Sequence, residues 1–423
     1  MLKMTETLLV ERIGGKGDAV ARGPDGDVFV AGALPGERIT AAVDGDRADL
    51  VSVEAASPER VTPPCPLFGR CGGCALQHWA AEPYAAWKRG LVETELRRNG
   101  ISAPVAPLVP AHGEGRRRAI LHGRRGPGGW SVGFMARRTH DIVPVDACPI
   151  LVPALRDAAP RIAKAVAEAL GGDKPLDIQV TATAGGLDVD IRGHGPVSDG
   201  KRRVLGETAR HLGLARLSVH GDVVASLAPT LVRTGPADVM IPPGGFLQAT
   251  AKGEDALGAL VLEGIGKAKS VADLFAGVGP FTFRAAQRAK VHAAEGDAQA
   301  VAALLRAARD TQGLKPITAE TRDLFKRPLV AAELAGFDAV IFDPPRAGAK
   351  AQAQALAPSK VPRVVAVSCD AGTFARDAAI LAGGGYALVS VTPVDQFLYS
   401  GHVELVGIFE KAAASMKKRR MLG

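Results

Sequence analysis

The chain has 423 residues, 47% of them hydrophobic and only 4% aromatic, and its 52 Lys and Arg exceed its 44 Asp and Glu to give a net charge of +8. No apolar run approaches the ~20 residues of a membrane span. The 50 Gly and 29 Pro are dispersed, which excludes a low-complexity disordered chain. One hydrophobic core stops growing near ~250–300 residues, so this length calls for two or three domains.

Basic residues gather at Arg116-Arg117-Arg118, Arg124-Arg125, Arg137-Arg138, Arg202-Arg203 and Lys417 to Arg420, a pattern that suits phosphate contacts and points to a polyanionic partner. The chain opens without a cationic, then apolar, leader, so the expected location is cytoplasmic. In that compartment five cysteines serve as ligands or nucleophiles rather than disulfides.

Residues 1–57 alternate short apolar segments with Gly turns. Segments 7–12, 28–30, 38–43 and 48–53 read as strands, and Gly14-Gly15, Pro24-Asp25-Gly26, Leu34-Pro35-Gly36 and Gly45-Asp46 as turns. About fifty residues of this kind make an OB-like β-barrel, and the order around "GDVFVAGALPGE" resembles a TRAM domain, an RNA-binding barrel. A Pro-rich linker within 58–75 leads to Cys65, Cys71 and Cys74 in the pattern C-x5-C-G-G-C. The fourth cysteine in chain order is Cys148, beside Pro149. Four thiolates suit zinc or an iron–sulfur cluster; one C-x-x-C pair with a single remote partner fits a structural [4Fe-4S] cluster better.

Residues 76–243 read as an α+β domain that grips substrate and carries no catalytic constellation of its own. Segments 82–99 and 151–170 are expected helices, the first with Tyr84, Trp87, Leu91 and Leu96 as its apolar stripe. Segments 118–122, 130–134 and 140–145 are expected antiparallel strands, and 177–183 with 187–192 a hairpin. From residue 244 strands and helices alternate, which calls for a parallel sheet. The strand 270–275 runs into Asp273-Leu274-Phe275-Ala276-Gly277-Val278-Gly279-Pro280. Gly277 and Gly279 let a cofactor approach the backbone without meeting a Cβ. Glu295 ends the next strand, placed to accept hydrogen bonds from ribose hydroxyls. The third Gly of a dinucleotide fingerprint is missing, which favours S-adenosylmethionine, a cofactor without phosphate. Two more strands lead to Asp343-Pro344-Pro345-Arg346 and to Ser368-Cys369-Asp370, and a hairpin, 387–391 with 403–409, closes the domain.

The ordered set "FLQAT", "DLFAGVG", "DPPR", "SCD" and "HVE", joined to the cysteine spacing, resembles the RNA 5-methyluridine (uracil-C5) methyltransferases over nearly the whole chain. The resemblance implies a multidomain α/β fold ending in a Rossmann-like class I methyltransferase domain. It implies that Gln248 and Phe275 contact S-adenosylmethionine, that Glu295 holds its ribose, that Asp343 meets the cofactor or target base, and that Asp323 lies near the adenine. Cys369 matches the family nucleophile and Glu404 its general base. Ribosomal RNA of the 23S type is the favoured substrate and transfer RNA stays open; one chain suffices to bind a flipped base, so a monomer is expected. Four departures stand out. Asp370-Ala371 replaces Asn-Pro, Thr250 replaces Asn, Tyr399-Ser400 replaces His-Thr, and Pro280 replaces a polar residue.

Carbon 5 of uracil cannot attack a sulfonium methyl unaided, so the chemistry needs a thiolate that adds at carbon 6 and a base that removes the carbon-5 proton. Two rivals differ in kind. A methyltransferase of base amino groups stacks the base on an aromatic residue after Pro-Pro, where this chain has Arg346. A non-catalytic RNA-binding protein would need neither the Gly turn nor Glu295.

Overall fold

The computed structural model describes residues 4–23 and 25–412; the basic segment 417–420 lies outside them. Five strands, β1 (Met4–Ile13), β2 (Ala19–Gly23), β3 (Gly26–Val30), β4 (Arg38–Asp44) and β5 (Arg47–Ala55), close into a barrel in the order β1-β2-β3-β5-β4. The sequence reading omits β2. Its Ala19, Val20 and Ala21 are all fully buried, so the alternation that marks a half-buried strand is absent. Leu76, Trp79 and Tyr84, all downstream of the barrel, complete its core.

Helix α1 (Ala81–Arg98) and the short β6 (Val109–Pro110) follow. The middle sheet has seven strands, β7 (Arg118–Gly126), β8 (Gly129–Met135), β9 (Ile142–Pro144), β10 (Leu176–Thr183), β11 (Gly186–Arg192), β12 (Arg216–Val219) and β13 (Asp222–Ser226), ordered β13-β12-β11-β10-β7-β8-β9. Helices α2 (Ala158–Leu170) and α3 (Asp199–His211) share its core. Helix α2 starts seven residues later than its periodicity suggests. Pro153 disfavours helix before it, and the preceding turns instead wrap Cys148, whose N–H donates to the Arg156 carbonyl at 2.9 Å. A hairpin, β14 (Leu231–Thr234) and β15 (Ala237–Met240), leads to helix α4 (Ala251–Ile265).

The C-terminal sheet is built from β16 (Ser270–Leu274), β17 (Lys290–Glu295), β18 (Ile317–Thr321), β19 (Ala339–Phe342), β20 (Arg363–Ser368), β21 (Tyr386–Asp395) and β22 (Glu404–Lys411), with helices α5 (Pro280–Ala286), α6 (Ala298–Asp310), α7 (Lys350–Leu356) and α8 (Ala371–Gly383) between them. Its order is β18-β17-β16-β19-β20-β22-β21-β6, parallel from β18 to β20 and antiparallel at β22. The order reverses at β16, so a crevice opens where the ends of β16 and β19 diverge, the usual ligand position in such sheets. Segments from outside this chain region join it. Strand β6 pairs with β21, and Val92 and Leu96 of α1 enter the same core as α7 and α8, so α1 and β6 pack with the C-terminal sheet rather than with the middle one. No helix among the described residues is long and apolar enough to cross a membrane.

Gly279 caps α5 at φ 96°, and a Cβ there would stand 2.8 Å from a ring carbon of Phe283 and 3.1 Å from Leu304. The Cβ side of this residue is taken up by packing, and Gly279 does not line the cavity described below. Gly279→Ala should therefore destabilise the fold by on the order of 2–3 kcal/mol, read as a lower urea midpoint at unchanged m-value.

Candidate active site

A cavity of about 490 Å³ lies over the ends of β16, β17 and β19. Gln248, Phe275, Gly277, Glu295, Asp343, Cys369 and Glu404 all line it, as does Asp323. Gly277 has φ 54°, and a Cβ there would meet no protein atom within 4 Å, so that side of its backbone faces open space. Phe275 holds φ 60°, uncommon for a bulky residue, which turns the chain sharply out of β16. Its ring lies 5.4 Å from that of Phe325. The Glu295 carboxylate is braced by the N–H of Gly277 at 2.9 Å and of Asp297 at 2.8 Å. Below this floor Asp273 is fully buried; Thr282 donates to one oxygen at 2.6 Å, the other is unpartnered, and burial raises its pKa to about 7.

Polar side chains converge at the other end. Gln396 donates to Gln248 at 2.8 Å, Gln248 donates to Asp343 at 3.0 Å, and Gln396 also hydrogen-bonds Glu404. Gln248 is held from behind, since Arg117 donates to its carbonyl at 3.0 Å and pairs with Glu254, which also takes Arg284. Burial, and next the Glu404 charge, push Asp343 well above the carboxylate range. Glu404 is 4% exposed; burial raises it to about 7 against the hydrogen bond from Gln396 and the charges of Arg346 and Lys88. Burial and then the Glu404 and Asp343 carboxylates push the Cys369 thiol up to about 12, with Arg346 opposing.

Cys369 follows β20 directly and lines two spaces at once. Besides the cavity it borders a groove of about 720 Å³ between the barrel and α1, with Arg12, Phe29, Trp87, Arg98 and His402 on its walls. Arg346 stands at this junction, 2.5 Å from Nδ1 of His402. Burial first, and then Arg346, lower His402 to about 4, so its imidazole is neutral and accepts. Asp370 adds only the smallest push to the Cys369 thiol. Its carboxylate caps α8 by accepting from the Thr373 N–H at 2.9 Å.

Cys65, Cys71, Cys74 and Cys148 line a separate cavity of about 280 Å³ together with Arg116. All four are free, and none is fully buried. Burial raises Cys74 to about 11 and Cys148 to about 12, and the neighbouring sulfurs add to both. Among the described residues no three His, Cys, Asp or Glu draw close enough to hold a metal ion; the four sulfurs ring a space. The Arg116-Arg117-Arg118 triplet is not a solvated phosphate clamp. Arg117 is buried in its ion pair, Arg116 lies over the Phe397 ring at 5.2 Å, and Arg118 over Phe246 at 5.2 Å.

Sequence reasoning missed Gln396 and the buried pair of Lys88 with Asp395. Lys88 was legible in principle: α1 buries Tyr84, Lys88, Val92 and Leu96, every fourth residue, one step round from the stripe expected through Trp87 and Leu91. A lysine on that line stands out, because lysine is almost never buried without a partner.

No family model matches the chain. Curated relatives do. An uncharacterized RNA methyltransferase of Brucella suis is 46% identical, with 96% of this chain and 98% of the relative covered. The 23S rRNA (uracil(1939)-C(5))-methyltransferase RlmD of Chromohalobacter salexigens is 35% identical, covering 94% and 87%. Among solved structures, the Pyrococcus abyssi tRNA (uracil-54, C5)-methyltransferase in complex with S-adenosyl-L-homocysteine superposes with TM-score 0.72 over 96% of this chain and all of that one; at 22% identity this likeness speaks for the fold. The chain belongs to the S-adenosylmethionine-dependent RNA uracil-C5 methyltransferases.

Proposed function

We propose that the protein methylates carbon 5 of one uridine in RNA through a covalent adduct, with Cys369 as nucleophile and Glu404 as general base. The observation that carries this reading is the double exposure of Cys369. It borders both the cavity that holds Phe275, Gly277 and Glu295 and the open groove beside the barrel. A methyl donor in the first and a flipped base from the second would meet at its sulfur.

The Cys369 thiol loses its proton to water in the groove, and the sulfonium charge of the bound donor would favour that loss. The thiolate bonds to carbon 6, and the electron pair of the ring double bond moves onto carbon 5 and its carbonyl oxygen. Asp343, held neutral, has a proton to donate to that oxygen. Carbon 5 takes the methyl group in line as its bond to sulfur breaks and neutral S-adenosylhomocysteine departs. Glu404 removes the carbon-5 proton, the double bond reforms, and the Cys369 sulfur leaves as thiolate. Asp343 recovers the proton it lent as carbon 5 attacks, Glu404 returns its proton to water and the thiolate takes one back, so one proton net is released per turnover. Gln248 and Gln396 orient the two carboxyls; Phe275, Gly277, Glu295 and Asp323 form the donor's side. Extruding the base from its stack costs a few kcal/mol.

Ribosomal RNA of the 23S type is the favoured substrate, supported by the RlmD relative over most of both chains. The barrel is read as a TRAM-like RNA clamp. The four cysteines fit a [4Fe-4S] cluster. They surround one cavity, where burial first and the neighbouring sulfurs next keep Cys74 and Cys148 protonated while no metal is bound. Bound there, the cluster would cross-link the chain around Cys71 to that around Cys148.

Nucleoside analysis of ribosomal and transfer RNA from a deletion strain should find 5-methyluridine missing from 23S rRNA alone. Cys369→Ala should abolish methylation while keeping S-adenosylmethionine affinity, read by calorimetry, and Glu404→Gln should accumulate a covalent RNA adduct on denaturing gels; full turnover without adduct would refute both roles. Gly277→Val should weaken S-adenosylmethionine binding at least tenfold while the protein stays folded. Because Glu404 must be ionised to act and its pKa is raised to about 7, the rate should fall as pH drops through about 7. Anaerobically purified protein should be brown with stoichiometric iron and sulfide, and Cys74→Ser should lose both.

A further inference from the structure

Lys88 is wholly buried and 300 residues away in sequence from the groups it touches. Its ammonium donates to Asp395 at 2.5 Å and to the Phe397 carbonyl at 3.0 Å. Tyr84, one turn earlier on α1, donates to the other Asp395 oxygen at 3.0 Å, accepts from the Tyr399 N–H at 2.9 Å and presents its ring 5.2 Å from the ammonium. One helix therefore grips 395, 397 and 399. That segment carries Gln396, which bonds Gln248, and it ends at Glu404, whose backbone is paired across β22 with Val394.

A buried ion pair is an expensive way to hold a loop. Two apolar residues of the same volume often do as well or better for stability. What the pair adds is geometry and charge beside Glu404. The charged and titratable groups facing Lys88 are Asp395, Tyr84, Arg116 and Glu404, and those facing Glu404 are Asp343, Arg346, Cys369 and Lys88. His112 faces Asp395, and His402 faces both Arg346 and Lys88.

We propose that Lys88 and Asp395 are positioning residues for the carbon-5 deprotonation: their buried pair fixes residues 395–404 and with them the strand end that carries Glu404. This rests on the reading of Glu404 as base. Losing the cation removes a charge that lowers the Glu404 pKa, so the acid limb of the rate must move to higher pH.

The test compares Lys88→Met, the paired replacement Lys88→Met with Asp395→Asn, and Glu404→Gln, using RNA substrate and S-adenosylmethionine. The paired replacement leaves no unpaired buried charge and keeps the test open where the single variant does not fold. Expected in the Lys88 variants are at least a tenfold loss in kcat with KM for both substrates within threefold. A raised steady-state level of Cys369–RNA adduct and an acid limb displaced upward should accompany that loss. An unmoved limb and no added adduct, while Glu404→Gln does trap adduct, would overturn this inference alone and leave Lys88 a structural strut. No adduct with Glu404→Gln would overturn the base assignment and this inference with it.

Discussion

Three acids line one cavity, and ionising one makes the next harder to ionise. Cys369, Asp343 and Glu404 each lose solvation on burial; the Glu404 charge raises both of the others, and the Asp343 charge adds to Cys369. Charges a few ångströms apart in a medium of effective dielectric near 20 repel by several kcal/mol. The arrangement resolves this by rank. Burial and the Glu404 charge hold Asp343 well above the carboxylate range, with a donor on one oxygen; Glu404 is raised to about 7 and the Cys369 thiol to about 12. That ranking matches a sequence of events in which the thiol ionises only with a cationic methyl donor in place. It would protect an exposed nucleophile from reacting while the site is empty.

The segment 395–404 translates this constraint into architecture, because the barrel, α1 and the cysteine region all touch it. Leu398 packs on the barrel core. The Tyr399 carbonyl accepts from Ala75 at 2.7 Å and Leu76 at 3.1 Å, immediately after Cys74. Arg116, on the wall of the cysteine cavity, lies over Phe397. A cluster bound at the cysteines, as proposed, would bear on this segment through these contacts.

The departures from the family pattern find local explanations that leave the chemistry intact. Thr250 caps α4 by accepting from the Gly253 N–H at 2.8 Å and donates to the Ala111 carbonyl at 2.6 Å. Asp370 caps α8, a role that Asn also fills well. Pro280 occupies the first turn of α5, where its missing N–H costs nothing. Tyr399 adopts φ 64°, and its neighbours anchor that turn from both sides.

Local chemistry made much of this protein readable from the chain alone. Gly turns and alternation marked four of the five barrel strands. Apolar β-runs ending in Gly, Glu, Asp-Pro-Pro and Cys marked the strand ends where a parallel sheet places ligands, and Cys369, Glu404 and the donor-side residues do line one cavity. Such signals survive in sequence because each depends on a residue and its near neighbours. Gly279 shows the limit: the same motif reads as cofactor approach, yet Phe283 and Leu304 occupy the space its Cβ would need. The transfer of α1 and β6 to the C-terminal sheet, the Gln248–Gln396 relay and the Lys88–Asp395 pair were decided only by tertiary structure. Their partners stand 148 and 307 positions apart. No periodicity spans such a gap; only the burial that forces each polar group to find a partner selects which one it meets.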